Sequence, residues 1–80
     1  MQTLLDVVNV QTQSDYMLLL HCENGEHHRF DMQPYIHQKP WTTLSHIKIF
    51  NQARIDNGTV VWPEEIDVDP DALYERSEPA

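Results

Sequence analysis

The stretch ARIDNGTVVWP, residues 53–63, has an Asn-Gly pair at its centre and an alternation of apolar and polar residues on both sides. Asn-Gly is the strongest short signal of a two-residue type I′ hairpin, because both central residues of that turn need a positive φ. Such a turn divides the flanking side chains between a core side and a mostly solvent-facing side. The core side holds Ala53, Ile55, Val60 and Trp62, and the solvent-facing side holds Arg54, Asp56, Thr59 and Val61.

A second Asn-Gly pair, Asn24-Gly25, lies between DYMLLLHC and EHHRFDM and predicts a second hairpin. A two-residue turn pairs Cys22 with His27, His21 with His28, and Leu19 with Phe30. One side then holds Met17, Leu19 and Phe30, and the other holds Leu18, Leu20 and Cys22 beside His27 and Arg29. The first strand is apolar on both sides, which predicts a central position in the sheet. The Val-rich segment LLDVVNVQ, residues 4–11, is expected to pair beside it.

Two short helices are predicted outside the hairpins. Ser45 is a candidate N-cap for the helix HIKIFNQ, residues 46–52, whose apolar side includes Leu44, Ile47 and Phe50. The chain therefore predicts one small α+β domain over residues 1–80, with the order β-β-β-α-β-β-α. We expect an antiparallel sheet of about five strands with both helices packed on one face, and a frayed tail at residues 77–80.

The segment WPEEIDVDPDALYE, residues 62–75, carries six carboxylates and no positive charge. Part of this acidity suits the start of the second helix. Asp69 is an N-cap residue type, Pro70 fits the first helical position, and Asp71 places a carboxylate in the first turn. Val68 and Leu73 have the spacing of a hydrophobic staple. The helix start therefore accounts for the aspartates at 69 and 71.

Glu64, Glu65 and Asp67 are left without a role in the helix. They form either a solvated acidic face or a contact patch for a basic partner. The formal net charge of −8, with only five scattered basic residues, argues against nucleic-acid binding and favours a basic protein partner. The alternating aspartates resemble a calcium loop, but Ala72 stands where that loop requires glycine.

The hairpin around Asn24-Gly25 is also rich in potential metal ligands. The alternative site consists of Cys22, His21, His27 and His28. Because His27 and His28 are consecutive in a strand, they point to opposite faces, and Cys22 with His27 supplies two ligands where zinc needs three or four. We therefore expect no cofactor. No serine lies in a nucleophile elbow, and Cys22 lies within a strand, so we expect no enzymatic activity.

Length and cysteine content limit the expected oligomeric state, disulfide bonding and cellular location of the protein. A domain of 80 residues buries only about 60% of the surface of its unfolded chain, so a partner or a homo-oligomer is expected to add stability. The single cysteine excludes an intrachain disulfide. The N-terminus has no basic region of a signal peptide, and the longest strongly apolar run, YMLLL, is too short to span a membrane. A cytoplasmic location is expected.

The order of motifs Y-x-L-x-L, NGE, FD, IDNGTVxWP and DVxPDxLY, from Tyr16 to Tyr74, resembles the small bacterial family catalogued as domain of unknown function 2442. Members are compact α+β domains, and some are encoded beside another small protein in an arrangement like that of toxin–antitoxin pairs. The resemblance implies no established activity. In this sequence Glu65 stands where many members have glycine, and Cys22 and His27 replace larger apolar residues.

Three functional hypotheses follow. The first is a non-catalytic acidic interaction module that binds a basic protein through Glu64, Glu65 and Asp67, in the manner of an antitoxin. The second is a small metal- or ligand-binding protein that uses the histidines and cysteine of the hairpin. The third is a regulatory domain that acts only within a homo-oligomer.

Overall fold

The computed structural model describes residues 7–56 and 58–80, with the side chain of Asp71 outside that description. The strands are β1 (Val7–Gln13), β2 (Met17–Cys22), β3 (His27–Asp31), β4 (Arg54–Asp56), β5 (Thr59–Trp62), β6 (Ile66–Asp67) and β7 (Glu78–Pro79). The α-helices are α1 (Ile47–Phe50) and α2 (Pro70–Arg76), and 3-10 turns cover Ser14–Tyr16 and Trp41–Ser45.

The strands form two antiparallel sheets, ordered β1-β2-β3-β7 and β4-β5-β6. The α+β class is confirmed, and the predicted order β-β-β-α-β-β-α is present with β6 and β7 as additions. The strands are divided between two sheets rather than joined in one. β2 is central, as predicted, while the start of the predicted first strand at residues 4–6 lies outside the described residues.

The C-terminal segment, for which a frayed tail was expected at residues 77–80, pairs with the sheet. Glu78 pairs with Arg29 and Pro79 with His28. The backbone N–H of Ala80 donates to the carbonyl of His27 at 2.9 Å. This pairing covers one end of β3, which would otherwise be an open edge.

The β2–β3 hairpin is one residue out of the predicted register. Its loop has three residues, 23–25, since the N–H of Gly25 donates to the Cys22 carbonyl at 3.0 Å and the N–H of Cys22 donates to the Glu26 carbonyl at 2.9 Å. Gly25 has a φ of 90°. These features define a type I turn followed by a left-handed residue in a G1 bulge.

The one-residue shift exchanges the two faces of β3. Leu20 lies opposite His28, and His21 lies opposite His27. The core side holds Leu18, Leu20, Cys22, His28 and Phe30, all of which are buried. The predicted placement of His27 and Arg29 beside Cys22 was therefore wrong, because both are exposed on the outer face.

The β4–β5 hairpin has the predicted two-residue turn. Asp56 pairs with Thr59, Ile55 with Val60, and Arg54 with Val61. Asn57 lies outside the described residues, and Gly58 has a φ of 77°. Thr59 differs from the prediction of a solvent-facing side chain, since it is buried and its hydroxyl donates to the carbonyl of Val68.

The segment before β4 folds differently from the predicted helix. The Ser45 hydroxyl donates to the Thr42 carbonyl at 2.8 Å and does not cap α1, which contains only four residues. Leu44 and Phe50 are fully buried as predicted, but Ile47 is 46% exposed. Ile49 packs against the core in place of Ile47.

Candidate functional site

The three acidic residues predicted to bind a partner lie together at one surface groove. The groove has a volume of about 480 Å³ and opens on the sheet β4-β5-β6. Glu64, Glu65 and Asp67 all line it and are exposed. The apolar residues Val61 and Pro63 also line the groove. The predicted site residues are therefore neighbours in space as well as in sequence.

The strand register explains which side chains meet in this groove. Val61 pairs with Arg54 on one side and with Asp67 on the other, so the three residues form one cross-strand row. Asp56 lies two residues along β4 from Arg54 and also lines the groove. Sequence reasoning did not assign Asp56 to the site. The available signal was its place beside Arg54 on the solvent-facing side of the hairpin.

The groove carries an excess of negative charge. Four carboxylates, those of Asp56, Glu64, Glu65 and Asp67, stand against the single guanidinium of Arg54, which leaves three negative charges uncompensated. Arg54 approaches Asp56 only to 4.0 Å, and both side chains are more than half exposed. Such a pair contributes at most about 1 kcal/mol, so the arginine neutralises little of the acidic surface.

Glu64 and Glu65 are held in an unusual backbone conformation. Their φ angles are 68° and 62°, in the left-handed region. This conformation costs roughly 1–2 kcal/mol per non-glycine residue. The loop is fixed at both ends, because Trp62 and Ile66 are paired with each other and are buried. The fold therefore presents two adjacent carboxylates at an energetic cost.

A second pair of residues with left-handed backbone conformation has a clear structural reason for it. Asp15 and Tyr16 both have a φ of 61° in the β1–β2 loop. The Tyr16 hydroxyl donates to the Ser45 carbonyl at 2.6 Å, and its ring packs edge-on against Phe50. Within the described part of the chain, the carboxylates of the loop 63–65 have no hydrogen bond or ion pair of this kind.

We expect Glu65→Gly to raise the free energy of unfolding by about 1 kcal/mol, because glycine adopts a positive φ without steric cost. Urea denaturation measures this change. The matched control is Glu75→Gly in the exposed part of α2, where glycine should lower the free energy of unfolding by about 1 kcal/mol. Equal destabilisation by both substitutions would contradict the left-handed loop.

The strand that carries Asp67 is fixed by contacts behind the groove. The indole N–H of Trp41 donates to the Asp67 carbonyl at 3.0 Å. The N–H of Val68 donates to the Val60 carbonyl at 3.3 Å, and the buried Thr59 hydroxyl donates to the Val68 carbonyl. The last two bonds hold the chain after β6 against β5, and the first ties β6 to the 3-10 turn at Trp41, so the backbone behind the acidic groove is held from two sides.

The residues of the alternative metal site are not brought together. Cys22 and His28 lie on the buried face of the first sheet, while His21 and His27 lie on its outer face. Burial raises the pKa of the Cys22 thiol, and the charges of Glu26 and Glu23 raise that pKa further. Within residues 7–56 and 58–80, no group of three or more His, Cys, Asp or Glu is placed to hold a metal ion.

His28 instead joins the hairpin to the C-terminal segment, a contact that sequence reasoning missed. Its Nε2 lies 2.9 Å from Glu26 Oε1, and its Nδ1 lies 3.1 Å from Ser77 Oγ. The hydrogen bonds from His28 and then from Asn24 hold the pKa of the Glu26 carboxyl below its usual value. The Ser77 hydroxyl donates to the Tyr74 carbonyl at 2.8 Å, which does not suit a nucleophile awaiting activation.

The fold and the groove together define a small two-sheet α+β domain with an exposed acidic surface. The chain belongs to the family described as Protein of unknown function (DUF2442), whose model matches residues 7–79. This confirms the resemblance and extends it beyond residues 16–74. Neither the curated proteins nor the solved structures gave a match. Within the described ranges, no helix combines the length and apolar character required to traverse a bilayer.

Proposed function

We propose that this protein is a non-catalytic acidic interaction module that binds a basic protein through the groove on β4-β5-β6. The main support for this proposal is that four carboxylates and a single exposed arginine line one groove. Exposed acidic residues are common, but here two of them are held in a costly left-handed loop with no side-chain partner inside the described chain. A basic partner accounts for both features.

The groove suits an arginine or lysine side chain from such a partner. Its aliphatic stem can lie along Val61 and Pro63 while the charged head reaches the carboxylates of Glu64 and Asp67. A guanidinium can bind a carboxylate through two parallel hydrogen bonds, which adds direction to the attraction. Because the carboxylates are exposed, their main contribution is to the association rate, and binding should weaken with added salt.

More specifically, the proposed biological role is that of an antitoxin-like protein in the bacterial cytoplasm. Its support is the acidic charge expected of a chain that covers a basic partner, together with the family resemblance, which implies that some members are encoded beside another small protein as in toxin–antitoxin pairs. The partner would be the basic product of a neighbouring gene. Expression of that product alone should arrest growth, and co-expression with this chain should relieve the arrest.

The binding site is tested with the triple variant Glu64→Gln, Glu65→Gln and Asp67→Asn. The complex is purified from the native host at low salt, and the affinity of the recovered partner is then measured by titration. We expect the triple variant to bind about tenfold or more weakly, mainly through a slower association rate. Wild-type affinity should fall as the salt concentration rises from about 0.05 to 0.3 M.

The control variant removes the same charge from other exposed positions, with Asp15→Asn, Glu23→Gln and Glu75→Gln. Its affinity should stay close to that of the wild type, apart from a small general effect of net charge. Equal weakening by both triple variants would show that the groove has no special role. Isolation of an unbound monomer from the native host at low salt would contradict the proposal as a whole.

A further inference from the structure

The one-residue register shift in the β2–β3 hairpin places two histidines side by side on the outer face of the first sheet. His21 lies directly opposite His27, and the centroids of their rings are 4.4 Å apart with an interplanar angle of 66°. His27 is exposed, and His21 is partly exposed. The predicted register would have put these two imidazoles on opposite faces.

The His21 side chain contains an unsatisfied polar atom. Its Nε2 is buried, and no residue of the described chain forms a hydrogen bond with it. An unsatisfied buried polar atom costs about 1–3 kcal/mol, and its explanations in native proteins include local strain, a catalytic role, a water or an ion. The neighbouring imidazole of His27 makes a metal ion the more specific explanation, since imidazole nitrogen is a good metal ligand.

The distance between the rings agrees with a shared metal. When two imidazoles bind one ion at nitrogen–metal distances of about 2.0–2.1 Å, their ring centroids lie roughly 4.5 Å apart for a right angle at the metal and roughly 5.2 Å apart for a tetrahedral angle. The observed separation of 4.4 Å is close to the right-angle value, and the rings would have to move apart by about 1 Å to bind tetrahedral zinc. Because Nε2 of His21 is buried in the observed arrangement, an ion can reach it only after a ring rotates, and His27 is the exposed ring of the pair.

We propose that His21 and His27 bind one late first-row divalent transition metal ion across the β2–β3 hairpin, with water completing the coordination. Imidazole nitrogen suits zinc, nickel and copper, whereas magnesium and calcium prefer oxygen ligands. The site is separate from the acidic groove. Cys22 and His28 take no part, because both lie on the opposite, buried face.

The neighbouring side chains set the expected strength of this site. Asn9, opposite His21 on β1, offers a neutral amide on the side away from His27. Arg29, two residues from His27 on the same face, places a positive charge diagonal to His21 and weakens cation binding. Two protein ligands and one nearby cation give a labile site, which is distinct from the closed sites of structural zinc.

Calorimetric titration of the full chain with zinc chloride and with nickel chloride tests the site. We expect one ion per chain, with affinity reduced about tenfold or more by His21→Ala and by His27→Ala. At a metal concentration about a hundred times the Kd, the Tm of the wild type should rise by roughly 10 °C or more. Magnesium chloride should produce neither effect.

The matched controls are His37→Ala and His46→Ala, since both histidines are exposed outside the hairpin. These variants should bind as the wild type does. The proposal is overturned if His37→Ala or His46→Ala weakens metal binding as much as His27→Ala does. It is also overturned if neither zinc nor nickel binds to the wild type. Histidine ring NMR adds a second readout, because the Nε2 resonance of His21 should shift on addition of zinc even if His21→Ala folds poorly.

Discussion

Trp62→Ala should destabilise the domain more than any other substitution considered, lowering the free energy of unfolding by about 3–5 kcal/mol. Trp62 is 1% exposed, its ring stacks on that of Phe50 with centroids 6.1 Å apart, and its indole N–H donates to the Phe50 carbonyl at 2.9 Å. Alanine would leave a large cavity and an unpaired carbonyl. A domain of this size has a total stability of roughly 4–12 kcal/mol, so the variant is expected to be near its unfolding limit.

Thermal unfolding followed by circular dichroism measures this effect, with an expected fall in Tm of roughly 15–30 °C. Two further variants separate the contribution of the indole hydrogen bond from that of the buried ring. Trp62→Phe keeps an aromatic ring and loses the indole donor, so it should cost about 1–2 kcal/mol. Trp41→Ala removes a half-buried tryptophan and should cost clearly less than Trp62→Ala. Equal costs for the two alanine variants would contradict the central packing of Trp62.

The same residue links the core to the candidate site. Trp62 ends β5 immediately before the left-handed loop, and it pairs with Ile66 where the chain returns as β6. Burial of these two side chains fixes the direction of Glu64 and Glu65. A variant that loosens Trp62 should therefore also weaken partner binding, although no charge in the groove has changed.

The β4–β5 hairpin was predictable, whereas the β2–β3 hairpin was predictable only in part. Both contain Asn-Gly, but this dipeptide fits a two-residue turn as well as a three-residue loop with a G1 bulge. In the β2–β3 hairpin, Asn24 Oδ1 accepts a hydrogen bond from the Glu26 N–H, and this bond favours the three-residue loop. The longer loop also buries Phe30 rather than Arg29 beside the leucines of β2. Core packing, and not the turn sequence, therefore decides the register.

The acidic groove was also predictable only in part. Glu64, Glu65 and Asp67 were identified because the helix start left them without a role. Asp56 was not, although its place on the solvent-facing side of β4 was predicted, because the other wall of the groove includes β6, a strand of only two residues with no readable alternation. That strand in turn follows a left-handed loop made of two glutamates, where sequence rules would expect glycine or asparagine.

His28→Ala should lower the free energy of unfolding by about 2–3 kcal/mol, the second largest effect expected here. His28 is 9% exposed, and its two ring nitrogens contact Glu26 and Ser77. It also packs against Tyr74, with ring centroids 5.6 Å apart. Alanine would remove both polar contacts and open a cavity between the hairpin and the C-terminal segment. Urea denaturation measures the loss.

His27→Ala is the matched control for this substitution, since His27 is the adjacent residue on the exposed face. It should change the free energy of unfolding by less than about 0.5 kcal/mol in the absence of metal. The register inferred from a two-residue turn gives the reverse order, with His27 beside the core, so the comparison tests the G1 bulge directly. A larger loss for His27→Ala than for His28→Ala would contradict the observed register.

Acidification provides an independent check of the contact between His28 and Glu26. Because the folded-state pKa of Glu26 is lowered, its stabilising contribution is present above the carboxyl pKa of the unfolded chain and is lost as the pH falls through the lowered folded value. His28→Ala removes the main cause of that shift. The stability difference between wild type and His28→Ala should therefore narrow in this acidic range, whereas a difference due to the cavity alone would not depend on the ionisation of Glu26.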